Sequence, residues 1–349
     1  MKTLPSLPLL FAAFAILPLR SADQPAAPAT PATQATPAMP ATPDTPAVPP
    51  MATAAAARAL GFGPTIAADA KVTKLAGGFG FTEGVTTAPN GDVFFVDQNN
   101  NRIHRWSVAE GKLSVFLEPS GRANGQYFDA KGNLISCCDE KNELWSITPD
   151  GQHTVLVTAA GYQGKPLDGP NDVWVRPDGG LYLTDPVYKR TWWDQSVPRP
   201  AQSVRAVYYL APDRKELKRV AEDFRMPNGI IGTPDGKTLY VSDISGGKTF
   251  GFDIEPDGAL THRRLVCNYG SDGMTMDDHG HFYMSANLRG ASGVSIVEIK
   301  TGLLVGYVPV PEQPANMAFG GKDHDQLFMA ARTGFYTIPT KVRGANPAK

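Results

Sequence analysis

The chain has 349 residues, enough for a large hydrophobic core in one or two domains. Its 33 lysines and arginines nearly balance 34 aspartates and glutamates. That balance argues against nucleic acid or an anionic membrane surface as a partner. With 35 glycines and 31 prolines, many turns are expected.

The first stretch, "MKTLPSLPLLFAAFAILPLR", has one early lysine and then an apolar run from Leu4 to Leu19. The run is short for a spanning helix and suits a secretory signal, so residues 1–22 are read as a leader. An N-terminal anchor is the alternative. Residues 23–58 are dominated by Pro, Ala and Thr, as in "PAAPATPATQATPAMPATPDTPAVPP". Such a segment cannot bury a core and stays extended, so it is read as a disordered tether. The expected location is secreted or periplasmic. A folded domain is expected over 59–342.

From there a phrase repeats. It reads "TEGVTTAPNGDVFFVD" at 82–97, "ANGQYFDAKGNLISCCD" at 123–139 and "PNDVWVRPDGGLYLTD" at 170–185. It returns as "PNGIIGTPDGKTLYVSD" at 227–243, "SDGMTMDDHGHFYMSA" at 271–286 and "PANMAFGGKDHDQLFMAA" at 314–331. Each copy alternates apolar and polar residues, turns at a Gly, and alternates again, which is a hairpin pattern. The opening polar residues are Glu83, Asn124, Asn171, Asn228, Asp272 and Asn316, spaced by 41, 47, 57, 44 and 44 residues. A period in the forties with strand-type alternation indicates an all-β propeller of four-stranded blades. Six copies predict six blades. The last copy has one strand too few after it, and "AKVTKLAGG" at 70–78 is spare before the first. That N-terminal strand is expected to complete the last blade and close the ring.

In a propeller the first strand of each copy lies innermost, so the six opening residues should meet at one mouth of the central channel. The closing aspartates Asp97, Asp139, Asp185 and Asp243 should form a wider ring at the same face. The 57-residue spacing reflects extra sequence after Asp185, including Trp192 and Trp193, which is expected there as a wall, a lid or interblade packing. Carboxylate and carboxamide oxygens are hard donors that suit calcium, magnesium or manganese, and zinc less well. Glu83, Asn171, Asn228 and Asp272 are therefore the candidate ligands of one divalent cation, calcium being the best match.

Other chemistries find little in the sequence. There is no GxSxG, HExxH, P-loop or GxGxxG pattern. The three cysteines include no CxxC, and neighbouring Cys137 and Cys138 read as strand residues. His279 and His281 share a hairpin turn expected at the opposite face.

The phrases "TEG…NGDVFFVD", "SGRANG", "LDGPNDVWVRPDGGLYLTDP", "MPNGI…DGKTLYVSD" and "DGMTMDDHGHFYMS", in this order, resemble the senescence marker protein/gluconolactonase/luciferin-regenerating enzyme family, in its sugar-lactonase branch. The resemblance covers residues from about 75 to 335. It implies a six-bladed propeller that hydrolyses a small lactone with one divalent cation at the channel mouth. It places metal ligands at Glu83, Asn228 and Asp272, puts Asn171 at metal or substrate, and makes Arg122 and Asn124 substrate contacts. "LDGPND" departs from the family's Asn-Ser before Pro-Asn-Asp, which bears on substrate preference rather than on the metal. The expected mechanism is a cation-polarised carbonyl attacked by water, with Asp272 as general base. A non-catalytic secreted binding module, or a related propeller esterase or phosphotriesterase, are the alternative readings. The expected state is a monomer or small homo-oligomer.

Overall fold

The computed structural model describes residues 48–345, apart from 197, 198, 203, 286, 287, 289 and 290. The expected leader and most of the tether lie outside these residues. The described chain forms twenty-four strands in six four-stranded antiparallel sheets, with one short helix ahead of them. This is the six-bladed propeller that the repeat predicts.

Blade 1 contains β2 (Thr82–Thr87), β3 (Val93–Asp97), β4 (Arg102–Ser107) and β5 (Lys112–Leu117). Blade 2 runs from β6 (Ala123–Phe128) through β7 (Leu134–Cys138) and β8 (Glu143–Ile147) to β9 (His153–Val157). Blade 3 has β10 (Val173–Val175), β11 (Leu181–Asp185), β12 (Ala206–Leu210) and β13 (Leu217–Ala221). Blade 4 has β14 (Pro227–Gly232), β15 (Thr238–Asp243), β16 (Lys248–Ile254) and β17 (Leu260–Cys267). Blade 5 has β18 (Met274–Met276), β19 (His281–Met284), β20 (Gly293–Glu298) and β21 (Leu304–Pro309). Blade 6 has β22 (Pro314–Gly320), β23 (Gln326–Ala331) and β24 (Gly334–Pro339), and takes β1 (Thr73–Gly77) as its outer strand.

Burial falls from the axis outward and explains the composition of each strand. The second strands β3, β7 and β11 are buried at every residue, because neighbouring blades cover both faces. They therefore read as nearly continuous apolar runs. The fourth strands β5 and β9 are mostly exposed or half-buried and carry polar residues. Aromatic rings join the blades across their faces. Phe94 meets Phe128 between blades 1 and 2 at 5.1 Å, and Tyr283 meets Phe319 between blades 5 and 6 at 4.9 Å. Phe95 stacks on Phe335 at 4.2 Å across the closure between blades 6 and 1.

The closure is made as the spare strand predicts. β1 pairs antiparallel with β24, with Thr73 opposite Thr337 and Gly77 opposite Gly334. Glu312 staples it, receiving Thr333 N–H at 2.9 Å, Tyr336 O–H at 2.5 Å and Lys74 Nζ at 3.4 Å. Joining the two ends of the domain in one blade closes the ring of blades. Residues 54–59, at the end of the stretch read as tether, form helix α1 (Ala54–Ala59). Alanines are strong helix formers, Thr53 Oγ1 caps the first turn through Ala56 N–H, and Ala57 is fully buried.

Candidate functional site

The mouth is shaped by an irregularity shared by several first strands. Register shifts fall at Glu83/Thr86 in β2, Ala123/Gln126 in β6, Pro227/Ile230 in β14 and Pro314/Asn316 in β22. Bulges of this kind break the pairing and re-aim a side chain, here at the channel rim. Asn171 and Asp272 stand just ahead of β10 and β18 in the same repeat position. Two glycines show how closely the strand starts approach each other. Gly84 has φ of +55°, and a Cβ there would lie 1.9 Å from Asn124 O. A Cβ on Gly229 would lie 2.3 Å from Asp272 O. In blade 3 the corresponding residue is Asp172, whose carboxylate instead accepts Val173 N–H at 2.9 Å and Ile230 N–H at 3.3 Å. Burial pushes its carboxyl up to about 7.

These approaches bring the candidate ligands together. Glu83 and Asp272, from blades 1 and 5, lie near enough for the Asp272 charge to act on the Glu83 carboxyl. Asn228 reaches Asp272, and Asn316 reaches Glu83. Glu83 Oε2 also accepts Gly84 N–H at 2.8 Å. Asn171 joins the group through Thr184, which receives Asn171 N–H on its carbonyl and donates Oγ1–H to Asn228 O, both at 2.8 Å. Burial first, and the neighbouring Asp272 charge second, hold Glu83 well above the usual carboxylate range. Burial also raises Asp272, opposed by Asn228 and by the Arg190 charge. Asp272 is enclosed by protein atoms yet keeps some surface open to solvent at the mouth.

Two enclosed carboxylates this close require a proton or a cation between them. The donor set suits a divalent cation. Two carboxylates match its charge, and the carboxamides of Asn228 and Asn171 add neutral hard oxygens. Asn124 Oδ1 is a further buried oxygen with no hydrogen-bond partner among the described residues. No three His, Cys, Asp or Glu side chains converge as a metal-binding group among those residues, so the ligand set depends on amides. Below the mouth the channel is lined by Thr86, Gln126, Asp172 and Met317, and it reaches His324 and Gly344. The C-terminal segment closes this far end, with Gly344 N–H donating to His324 O and Ala345 N–H to Met276 O, both at 3.0 Å. His279 and His281 pair with Asp278 and Asp277 in the hairpin that Gly344 bridges.

Arg122 is held with φ of +51° by its N–H to Asn101 Oδ1 at 2.7 Å. Its Nη1 donates to Gln98 O and Asn99 O, and its guanidinium lies over Trp192 at 4.5 Å. It forms no ion pair among the described residues. The two tryptophans divide the expected roles. Trp192 faces Arg122 as part of a wall, whereas Trp193 is buried and donates Nε1–H to Asp139 O at 2.5 Å.

The outer aspartates behave differently from the inner pair. Asp97 accepts Gly80 N–H and Phe81 N–H, Asp185 accepts Asp168 N–H, and Asp243 accepts Met226 N–H and Arg225 N–H, all at 2.8–3.2 Å. Each clamps the loop 17 residues upstream that leads into the first strand. Asp139 breaks the pattern. The residue at that offset is Arg122, whose N–H is committed to Asn101. Asp139 Oδ2 instead binds Arg190 Nε at 2.6 Å, and Oδ1 has no hydrogen-bond partner among the described residues. Burial, opposed by Arg190, brings its carboxyl up to about 6.

The sequence reading did not single out Asp172, Tyr188 or Arg190. Asp172 stands where four of the six copies have Gly, which was a legible departure. Tyr188 and Arg190 lie in the extra sequence of blade 3, and only its length marked it.

Residues 81–333 match the family described as SMP-30/Gluconolactonase/LRE-like region. A gluconolactonase of Zymomonas mobilis is 26% identical over 293 residues, spanning 76% of this chain and 80% of that protein. The solved structure of a gluconolactonase from Xanthomonas campestris is 29% identical, with a TM-score of 0.70, covering 87% of this chain and 99% of that one. A regucalcin from Agrobacterium tumefaciens shares the fold at 19% identity and a TM-score of 0.64, covering 79% and 96%.

Proposed function

The chain belongs to the SMP-30/gluconolactonase/LRE-like family, and from that premise we propose that it hydrolyses a sugar lactone with the help of one divalent cation at the channel mouth. The observation that carries this reading is that Glu83 and Asp272, two enclosed carboxylates at strand starts of blades 1 and 5, lie near enough for their charges to act on each other, with the Asn228 and Asn316 carboxamides beside them. Glu83, Asn228 and Asp272, with Asn171, would hold the cation, and calcium suits their oxygens best. When bound, the cation would supply Lewis acidity for the negative charge that develops on the lactone carbonyl oxygen.

The protein's own groups supply the rest. Asp272, a residue that keeps some surface open to solvent, takes the proton from the attacking water. The Arg190 charge nearby favours its anionic form. Glu83 lies deeper, is tied to Gly84 N–H, and serves as a ligand. Arg122 and Asn124 orient the sugar, Arg122 being braced against Trp192. The names of the relatives, gluconolactonases in both bacteria, support a lactone as the substrate class.

The test is hydrolysis of a panel of aldonolactones, simple esters and a phosphotriester, before and after chelation. Lactone turnover that disappears with chelator and returns with calcium or manganese is expected. Full-rate hydrolysis by metal-stripped protein would sink the mechanism, and selective binding with no turnover would favour the binding-module reading. Secretion is proposed on the Leu4–Leu19 apolar run and the Pro/Ala/Thr tether. It predicts mature protein lacking about the first 20 residues, read by N-terminal sequencing of material from the native host.

A further inference from the structure

We propose that Trp192, in the extra sequence of blade 3, is a positioning residue that fixes the plane of the Arg122 guanidinium and so sets how tightly the sugar part of a lactone is held. The inference rests on the lactonase reading above and concerns substrate recognition at the same mouth.

The hydrogen bonds of Arg122 do not fix its head group by themselves. Its Nη1 donates to Gln98 O at 3.3 Å and to Asn99 O at 3.2 Å. Its Nε is buried with no hydrogen-bond partner among the described residues. These bonds hold one corner of a planar group and leave the plane free to turn about that corner. A guanidinium presents its N–H donors in a rigid fork, so a turn of the plane redirects all of them together. The Trp192 ring, whose centroid lies 4.5 Å from Arg122 Cζ, restricts this turn, because a cation is attracted to the face of an indole.

The ring can act in this way only if its own segment is held, and Asp139 anchors both sides of the contact. Within blade 2, Asp139 N–H donates to Arg122 O at 3.3 Å. Toward the extra sequence of blade 3, Asp139 O accepts Trp193 Nε1–H at 2.5 Å and Asp139 Oδ2 accepts Arg190 Nε–H at 2.6 Å. Trp192 stands in the chain between these two anchored residues. Gln195 Nε2 ties off the turn by donating to Arg190 O at 3.0 Å and to Trp193 O at 2.6 Å. Arg199 lies over Trp193 at 4.5 Å and pairs with Asp168 at 3.0 Å, which fastens the segment to blade 3. The departure of blade 2 from the repeat and the extra length of blade 3 thus serve one arrangement, in which a ring from one blade is set against an arginine of the next. Trp192 is itself half-buried, and none of the hydrogen bonds named here runs through its side chain, so the ring can be exchanged without releasing the segment.

The experiment is steady-state hydrolysis, by full-length protein at saturating calcium, of the aldonolactone that turns over fastest in the panel above. Trp192→Leu should raise KM by about 3- to 30-fold, the loss that corresponds to a partly buried cation–π contact. Its kcat and melting temperature should stay at wild-type values. A change confined to KM marks the loss of binding that is equal in the ground and transition states. Trp192→Phe keeps an aromatic face and should restore most of the KM. In an Arg122→Met background, which keeps the stem and removes the guanidinium, Trp192→Leu should have little further effect. Wild-type KM in Trp192→Leu would overturn the proposal, as would a Trp192→Phe variant no better than Trp192→Leu. An undiminished rise in the Arg122→Met background would overturn it too, since Trp192 would then touch the sugar directly. So would a fall in kcat with KM unchanged, which would place the effect of the ring at Arg190 and Asp272. A wild-type protein that hydrolyses no lactone would instead overturn the lactonase reading, and this inference with it.

Discussion

The channel mouth carries two sets of carboxylates built from the same repeat, and they have opposite fates. Asp97, Asp185 and Asp243 close their hairpins and spend their oxygens on the main-chain N–H groups of the loop 17 residues upstream. Glu83 and Asp272 open their copies and lie near enough to act on each other's charge. Amide donors compensate the first set, whose role is to fix the loops. Among the described residues the second set has one main-chain donor, Gly84 N–H on Glu83, and burial there favours a proton on Glu83 that a cation could replace. A carboxylate at this mouth is structural or reactive according to the donors that the tertiary structure places around it. Asp139 falls between the two sets, since it has lost its loop donors and is held by Arg190.

The largest expected effect breaks the inner set at its proposed base. Asp272→Asn should lower lactone turnover by about 100- to 10,000-fold, the usual contribution of a general base, even when metal is raised to saturation. Glu83→Gln should weaken metal binding but recover much of its rate at high metal. Turnover measured against calcium and manganese titrations separates the two, and near-complete metal rescue of Asp272→Asn would make Asp272 a ligand only. Gly229→Ala tests the close approach that assembles the set. Its Cβ would meet Asp272 O at 2.3 Å, where backbone cannot yield cheaply. A stability loss of about 3 kcal/mol is expected, the upper range for an overpacked site, together with weakened metal binding. Unchanged denaturant unfolding and calcium titration would show that the rim adapts freely.

Breaking the outer set should cost stability and spare chemistry. Asp243→Asn removes a charge that accepts Arg225, Met226 and Gly246 N–H. A loss of about 2 kcal/mol is expected for a buried charged acceptor of main-chain bonds, with turnover per folded molecule near wild type. A collapse of turnover at full stability would move Asp243 into the reactive set. The smallest effect concerns Asp139. Its carboxyl is raised from 3.8 to about 6 in the folded protein. A group raised on folding contributes stability that is fully present below its unfolded value and is lost as pH rises through its folded value. Wild type should therefore lose stability relative to Asp139→Asn between about pH 4 and pH 6. Parallel melting-temperature profiles of the two proteins over that range would contradict the raised value.

The sequence by itself determined the blade count, the hairpins, the closing strand and the residues at the channel rim. All of these rest on local signals: alternation along a strand, Gly at a turn, and a spacing in the forties between like phrases. Closure followed because one strand was missing at one end and one was spare at the other. The convergence of Glu83 and Asp272 was legible for the same reason, since a ring of equivalent strands carries equivalent positions to one axis. What each carboxylate does there was decided only by tertiary structure. No local pattern shows that the Arg122 N–H goes to Asn101 and leaves Asp139 free, or that Tyr188 meets Asn228 across 40 residues of sequence and Arg190 meets Asp139 across 51. Nor does composition show that the alanines of 54–59 would coil and bury Ala57. Hydrogen-bond partners far apart in sequence are chosen by how the blades and their connecting segments pack, and that packing set apart carboxylates that the repeat had made alike.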